Sequence, residues 1–276
     1  MKYDFHGYLL ASDIDGTLIN SKFEIPQTNI DKINMFRECG GKFTLATGRS
    51  VESTRRFANM IELDTPAIVL NGAGIYDYKT DKFLYNDTLN KQEALSIIEF
   101  VLAKFSDIGI EIHSNNNLNV IRDNFEVEEH IKNELQPSSF FTLSEMMDKP
   151  WHKLLFAAPS ERLKRLEDIA DSFNLKKSYF VKTGPVYFEL LNGTADKGNG
   201  LRALAKQQGI PISNVAAIGD FYNDVHLINA AGISAYAENA PEDLKRTADF
   251  VSVHCEEGAV GAFIDYLGKL SQRKDS

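Results

Sequence analysis

The stretch Tyr8-Leu9-Leu10-Ala11-Ser12-Asp13-Ile14-Asp15-Gly16-Thr17 decides the fold. A short apolar run that ends in a polar turn reads as a buried strand. The two carboxylates after it are separated by one residue, so at strand spacing both point to one side, and Gly16 permits a tight turn. Further apolar runs of the same form lie at Lys42 to Ala46, Ala67 to Leu70, Val215 to Ile218 and Phe250 to Val253. Helical patterns separate the first three: Thr28 to Cys39, closed by Gly40-Gly41, and Val51 to Met60, beginning after Ser50. Strand alternating with helix implies βαβ units and a parallel sheet. Such sheets bind ligands beyond the carboxyl ends of their strands, which makes the residues just after each run the chemical candidates.

The chain has 276 residues, room for about two domains of roughly 150 residues each. With 43% hydrophobic and 25% charged residues, it is neither disordered, collagen-like nor a disulfide-stapled miniature. Thirty basic residues against 39 acidic ones give a net charge of −9, so a nucleic-acid partner is not expected. An anionic substrate must then be drawn in locally, by a metal ion or a few placed cations. Cys39 and Cys255 are too few for a disulfide framework or a four-cysteine zinc site and read as reduced structural thiols. The polar amino terminus and the lack of an 18-residue apolar run point to a soluble cytoplasmic protein with no membrane contact. No obligate protein partner is implied.

The middle of the chain differs in texture. It holds a helical stretch from Lys91 to Phe105, a polar Ser114-Asn115-Asn116-Asn117 turn and a charged helix from Glu161 to Phe173. Alternating runs at Ile108 to His113, Lys153 to Ala157 and Val186 to Leu191 predict half-exposed strands. The βα pattern resumes with Asp196 to Gln208 and Val215 to Asp220. The expected architecture is α/β: a doubly wound parallel-sheet core from residues 1–83 and 191–276, with an α/β domain of residues 84–190 inserted into it.

Four short motifs carry the chemistry. Asp13-x-Asp15-Gly16-Thr17 offers a carboxylate pair suited to metal binding, nucleophilic attack or proton exchange, although an isolated pair also serves as a solvated, helix-capping turn. Thr47-Gly48-Arg49 follows the second strand, where a hydroxyl and free N–H groups cradle a phosphate or simply cap a helix. Arg49 fits a structural ion pair equally well. Lys197, in Asp196-Lys197-Gly198, opens a helix where an ammonium meets a phosphate oxygen or stays solvated. Gly219-Asp220-Phe221-Tyr222-Asn223-Asp224 follows the Val-Ala-Ala-Ile strand, with acids four residues apart. A parallel sheet would bring all four to one crevice.

In this order, with an insertion of about a hundred residues after the second, these motifs resemble the haloacid dehalogenase superfamily, in particular its Cof-type sugar phosphatases. The resemblance implies that Asp13 is the nucleophile that forms an aspartyl phosphate, and that Asp15 is the general acid and base. It implies Mg²⁺ held by the Asp13 and Asp220 side chains and the Asp15 carbonyl. Thr47, the Gly48 amide, Lys197, Asn223 and Asn239 would contact the phosphorylated substrate, with Asp224 supporting the metal and Lys197 from behind. Glu238 stands where the family usually has glycine, and Tyr236 replaces a smaller residue.

Charge alone also asks for a cation. Attack by Asp13 on a phosphoryl group of charge near −2 meets roughly 8 kcal/mol of repulsion at 4 Å and an effective dielectric of about 20. That is about six decades in rate. Four aspartates against one lysine leave the site negative, and an all-oxygen donor set suits Mg²⁺.

The expected activity is hydrolysis of a small phosphorylated metabolite. A phosphomutase or phosphotransferase of the same fold and a non-catalytic phosphometabolite-binding protein are the alternatives. His113, His152, Trp151, Phe180 and Tyr187 are expected to be packed rather than functional, and Asn71-Gly72-Ala73-Gly74 reads as a turn.

Overall fold

The computed structural model describes residues 3–114, 117–134 and 137–274. The chain begins with β1 (Leu9–Ser12), α1 (Gln27–Glu38), β2 (Lys42–Leu45), α2 (Val51–Met60), β3 (Ala67–Val69), β4 (Gly74–Asp77) and β5 (Lys82–Asn86). It then builds α3 (Lys91–Lys104), β6 (Gly109–Ser114), β7 (Asn117–Arg122), α4 (Phe125–Glu134), β8 (Ser138–Phe140), β9 (Lys153–Ala157), α5 (Ser160–Glu167), β10 (Ser178–Gly184) and β11 (Tyr187–Asn192). The return brings α6 (Lys197–Gln207), β12 (Val215–Gly219), α7 (Val225–Ala230), β13 (Ile233–Tyr236), α8 (Glu242–Lys245), β14 (Phe250–Val251) and α9 (Ala259–Lys274).

The first and last groups share a parallel sheet of order β14-β13-β12-β1-β2. Successive residues of β1 explain its unbroken apolar run: Leu10 packs with α1 and α9 on one face, Leu9 and Ala11 with α6 and α7 on the other. An isolated parallel bridge, Ala46 to Ile68, joins this sheet to the antiparallel hairpin of β3, β4 and β5. Strand order reverses direction between β1 and β12, where crossovers leave to opposite sides and open a crevice at the carboxyl edge.

The middle elements form a six-stranded sheet, β10-β11-β9-β6-β7-β8, with its own apolar core. This is the expected α/β insertion. The predicted junctions at 83/84 and 190/191 fall inside β5 and β11, so the chain crosses between the two cores a few residues later each time.

Several local expectations change. β6 and β9 are buried along their whole length rather than half-exposed. One face packs under α3 and α5 through Ile110, Ile112, Leu154 and Phe156. The polar face is covered as well, partly by Val127 of α4, which packs on Leu155 and Ala157, and partly by the parallel-sheet core described below. The predicted helix from Glu161 to Phe173 stops at Glu167 and resumes only as a 3-10 turn from Ala170 to Phe173, where the Ser172 hydroxyl bonds the Ile169 carbonyl. The predicted 114–117 turn includes Asn115 and Asn116, which lie outside the described residues. β13 was not expected; it is short and fully buried.

Candidate active site

Asp13 leaves β1 with its N–H donated to the Ile218 carbonyl of β12, and its side chain is buried. Gly16 turns the chain at φ +73°, and a Cβ there would lie 2.4 Å from Asp220 Oδ2, so only glycine lets this turn press against the end of β12. Thr17 Oγ1 donates to Asp220 Oδ1 at 3.1 Å. Asp224 accepts the Asp220 and Phe221 amides on Oδ2, at 2.9 and 3.2 Å, which folds the loop after β12 back upon itself.

Lys197 stands in the first turn of α6, where Asp196 caps the helix by accepting the Asn199 amide. Its ammonium is fully buried and reaches Asp13 Oδ1 and Asp224 Oδ1, each at 2.6 Å. Burial opposes its charge, but the two aspartates more than offset this and raise its pKa. Burial drives Asp13 up to about 7, against the pull of Lys197 and with Asp224 and Asp15 adding to the rise. Asp220 is raised well above the usual carboxylate range by the same desolvation and by Asp13 and Asp224. These acids are short of positive charge.

The carboxylates of Asp13, Asp220 and Asp224 each place an oxygen within 4.8 Å of the others. Both Asp224 oxygens are engaged, one by Lys197 and one by backbone amides, so it braces the cluster rather than facing outward. All-oxygen donors whose crowding raises their pKa fit a hard divalent cation such as Mg²⁺.

Thr47 and Gly48 end β2. Thr47 is buried and its hydroxyl accepts the Arg49 amide at 3.1 Å, leaving its own hydrogen to donate. Arg49 forks the Asp15 carboxylate at 2.8 and 2.7 Å, the bidentate geometry that fixes a carboxylate in orientation. Asp15 itself is half-exposed. Asn223 donates to Asn71 at 3.4 Å.

Asn239 has a different place from the one the motif suggests. Its Nδ2 donates to the Gly16 carbonyl at 2.8 Å and its Oδ1 accepts the Cys255 amide at 3.1 Å. It ties the Asp15-Gly16 turn to the loop after β14 and does not line the cavity.

A cavity of about 380 Å³ opens over this edge, with Asp13, Asp15, Gly48, Asp220 and Asn223 in its floor. Thr47 and Lys197 lie buried behind that floor. The roof comes from the inserted domain: His130 and Glu134 of α4, and Lys153, Leu155, Tyr187 and Glu189 of its sheet. Among the described residues, an Arg49–Glu134 ion pair at 3.6 Å and three hydrogen bonds tie roof to floor. Lys153 Nζ donates to the Gly48 carbonyl at 2.9 Å, Arg49 to the Asn133 carbonyl at 3.0 Å, and Asn71 Nδ2 to Glu189 at 2.7 Å.

Lys153, Glu189, Glu111, His130, Glu134 and Asn71 were not singled out from the sequence. The signal was there for two of them, since Glu111 and Glu189 each sit between apolar residues on a strand. His113 is packed as expected, though beside Glu111 and His130. Trp151 is buried in the inserted core with Nε1 on the Met146 carbonyl, Phe180 stacks on Phe188, and Tyr187 lines the cavity. His152 bonds the Asp87 carbonyl, away from the cavity.

A buried acid-and-lysine cluster at the switch point of a parallel sheet, under an inserted α/β roof, defines a phosphatase. The chain belongs to the haloacid dehalogenase-like hydrolases, whose family model matches residues 10–264, and within them to the Cof-type branch. It is 29% identical to 5-amino-6-(5-phospho-D-ribitylamino)uracil phosphatase YwtE of Bacillus subtilis, over 94% of this chain and 97% of that protein. It is 26% identical to pyridoxal phosphate phosphatase YbhA of Escherichia coli, over 93% and 97%. A solved haloacid dehalogenase-like hydrolase from B. subtilis superposes with a TM-score of 0.85 at 23% identity, covering 94% of this chain and 99% of that one.

Proposed function

We propose that the protein hydrolyses small phosphomonoesters, sugar or polyol phosphates among them, in two phosphoryl transfers with Asp13 as the nucleophile. The observation that carries this is the position of Asp13: buried at the cavity floor, one oxygen clamped by Lys197, with Asp15 two residues away on the same edge. In the first step a carboxylate oxygen of Asp13 bonds to phosphorus as the ester P–O bond breaks, and Asp15 gives its proton to the leaving oxygen. In the second, Asp15 takes a proton from water, whose oxygen bonds to phosphorus as the aspartyl P–O bond breaks.

Thr47, the Gly48 amide, Lys197 and Asn223 hold the phosphoryl oxygens in this reading, Arg49 orients Asp15, and Asp224 braces Lys197. Asn239 acts on the turn rather than on phosphate. The Asp13 and Asp220 side chains and the Asp15 carbonyl would hold Mg²⁺, which supplies the positive charge that nucleophile and phosphate need in order to meet. The two named relatives, whose substrates are a ribityl phosphate and a pyridoxal phosphate, support a small metabolite, and the cavity volume agrees.

Rapid-quench labelling with a ³²P-phosphomonoester tests the reading. Acid-stable label on Asp13, absent from Asp13→Asn, is the expected result. Turnover by Asp13→Asn, or label on another residue, overturns it.

A further inference from the structure

The roof of the cavity holds a second group of metal-ligating side chains, separate from the aspartates of the floor. Glu111 and His113 alternate along β6 and so face the same side, and His130 reaches them from α4. All three are buried. His130 Nδ1 lies 2.9 Å and His113 Nε2 3.3 Å from one and the same oxygen, Glu111 Oε2. Ligands held about 2.0–2.1 Å from one ion at 90° to 109° stand about 2.8–3.4 Å apart, so these separations match a single coordination shell.

Two more observations point the same way. His113 is 1% exposed, its Nδ1 has no hydrogen-bond partner among the described residues, and its Nε2 meets only Glu111 Oε2, at 3.3 Å. A buried imidazole is expected to have a partner. Glu134, one turn further along α4, brings Oε1 to 3.9 Å from His130 Nε2, longer than a hydrogen bond but on the side from which an outer-sphere carboxylate orients a metal-bound imidazole.

The local charge is also open. Glu111, Glu134 and Glu189 are buried near two cations, Lys153 on Glu189 and Arg49, which Glu134 at 3.6 Å shares with Asp15, so four acids face two cations. With neutral imidazoles that leaves two negative charges, which one divalent ion closes.

We propose that Glu111, His113 and His130 form a second metal site that takes a borderline divalent ion, Zn²⁺ in preference to Mg²⁺. Two nitrogen donors and one carboxylate suit such an ion, and three protein ligands leave a coordination position open. His130 lines the cavity, so that position lies at the cavity wall, where water or a hydroxyl of the leaving group can occupy it.

Metal binding by the full chain tests this without any turnover. Protein stripped with EDTA and dialysed is titrated with Zn²⁺ against a chromophoric chelator and, separately, with Co²⁺ while the visible spectrum is recorded. One Zn²⁺ should bind to wild type and to Asp220→Asn alike. Glu111→Gln and His130→Gln should weaken it by more than the roughly 10–100-fold that loss of an outer-sphere partner costs, and Glu134→Gln by an amount within that range. Co²⁺ should give the intense absorption of a low-coordinate nitrogen-containing centre. Zn²⁺ uptake that is lost in Asp220→Asn but unchanged in Glu111→Gln overturns the proposal. So does a wild-type Co²⁺ complex with only the weak absorption of an all-oxygen, six-coordinate site, a result that depends on no variant folding.

Discussion

Asp13→Asn should make the metal-free protein more stable at neutral pH while it abolishes turnover. In the folded chain burial lifts the Asp13 carboxyl from 3.8 to about 7. A carboxyl raised on folding holds its proton more tightly in the folded state than in the unfolded one. Its contribution to stability is therefore fully present below pH 3.8 and drains away as pH climbs toward 7. A rise of that size corresponds to at most about 4 kcal/mol of stability lost at neutral pH. At about 2–4 °C per kcal/mol for a chain of this size, the ceiling is roughly 8–16 °C in Tm. Asparagine carries no charge and escapes the loss, and Lys197 keeps Asp224 as its partner. Thermal unfolding in EDTA from pH 4 to pH 8 should show the two proteins melting together at the acid end, with wild type falling progressively below the variant. Asp220, raised for the same reason, adds a slope of the same sign in both. Mg²⁺ should narrow the gap by stabilising wild type more than Asp13→Asn. Parallel melting curves across this range would refute the picture of a floor starved of positive charge.

Gly16→Ala forces a Cβ to 2.4 Å from Asp220 Oδ2 at a φ of +73°; kcat/KM should fall by about 100-fold or more, and the Mg²⁺ titration should shift to higher concentration. An unchanged Mg²⁺ titration would show that the turn does not set the position of Asp220. Arg49→Lys keeps a charge but cannot fork both oxygens of Asp15, so kcat toward p-nitrophenyl phosphate should drop about 10–100-fold with little change in KM. The opposite pattern, a raised KM at normal kcat, would move Arg49 from orienting Asp15 to binding substrate. Asn239→Ala strands the Gly16 carbonyl and the Cys255 amide and should cost about 1–3 kcal/mol in thermal or urea unfolding, with inhibition by inorganic phosphate unchanged. Tenfold weaker phosphate inhibition would put Asn239 on the phosphate instead.

What could be read from the sequence was whatever depends on short-range pattern. β1 and β12 are apolar along nearly their whole length because both faces of a parallel sheet are covered, and they and β2 each lead into a motif because the carboxyl edge is where the chain turns. Lys197, Asp13 and Asp224 meet as the motifs implied. The roof was harder to see. Alternation in β6 and β9 marks two chemically different faces correctly, but nothing in one strand says whether its polar face meets water or another layer of protein. The strands were therefore read as half-exposed, and Glu111, Lys153 and Glu189 were not singled out. Asn239 shows the same limit at one residue: its motif names the amide, while its bonds depend on where the Gly16 and Cys255 backbones come to rest.

The pairing of β1 with β12 has a wider consequence. Ser12 registers against Ile218, so Asp13, the proposed nucleophile, and Asp220 spring from neighbouring strand ends, about 4.8 Å apart in the direction of the sheet hydrogen bonds. That spacing is a ruler cut into the backbone, and loops cannot stretch it. The bond-breaking apparatus is thus insulated from drift elsewhere, while the overhead sheet can exchange Glu134, Tyr187 or Thr183 and present a new face to a new ester. Chemistry and preference are inherited on separate layers of one chain.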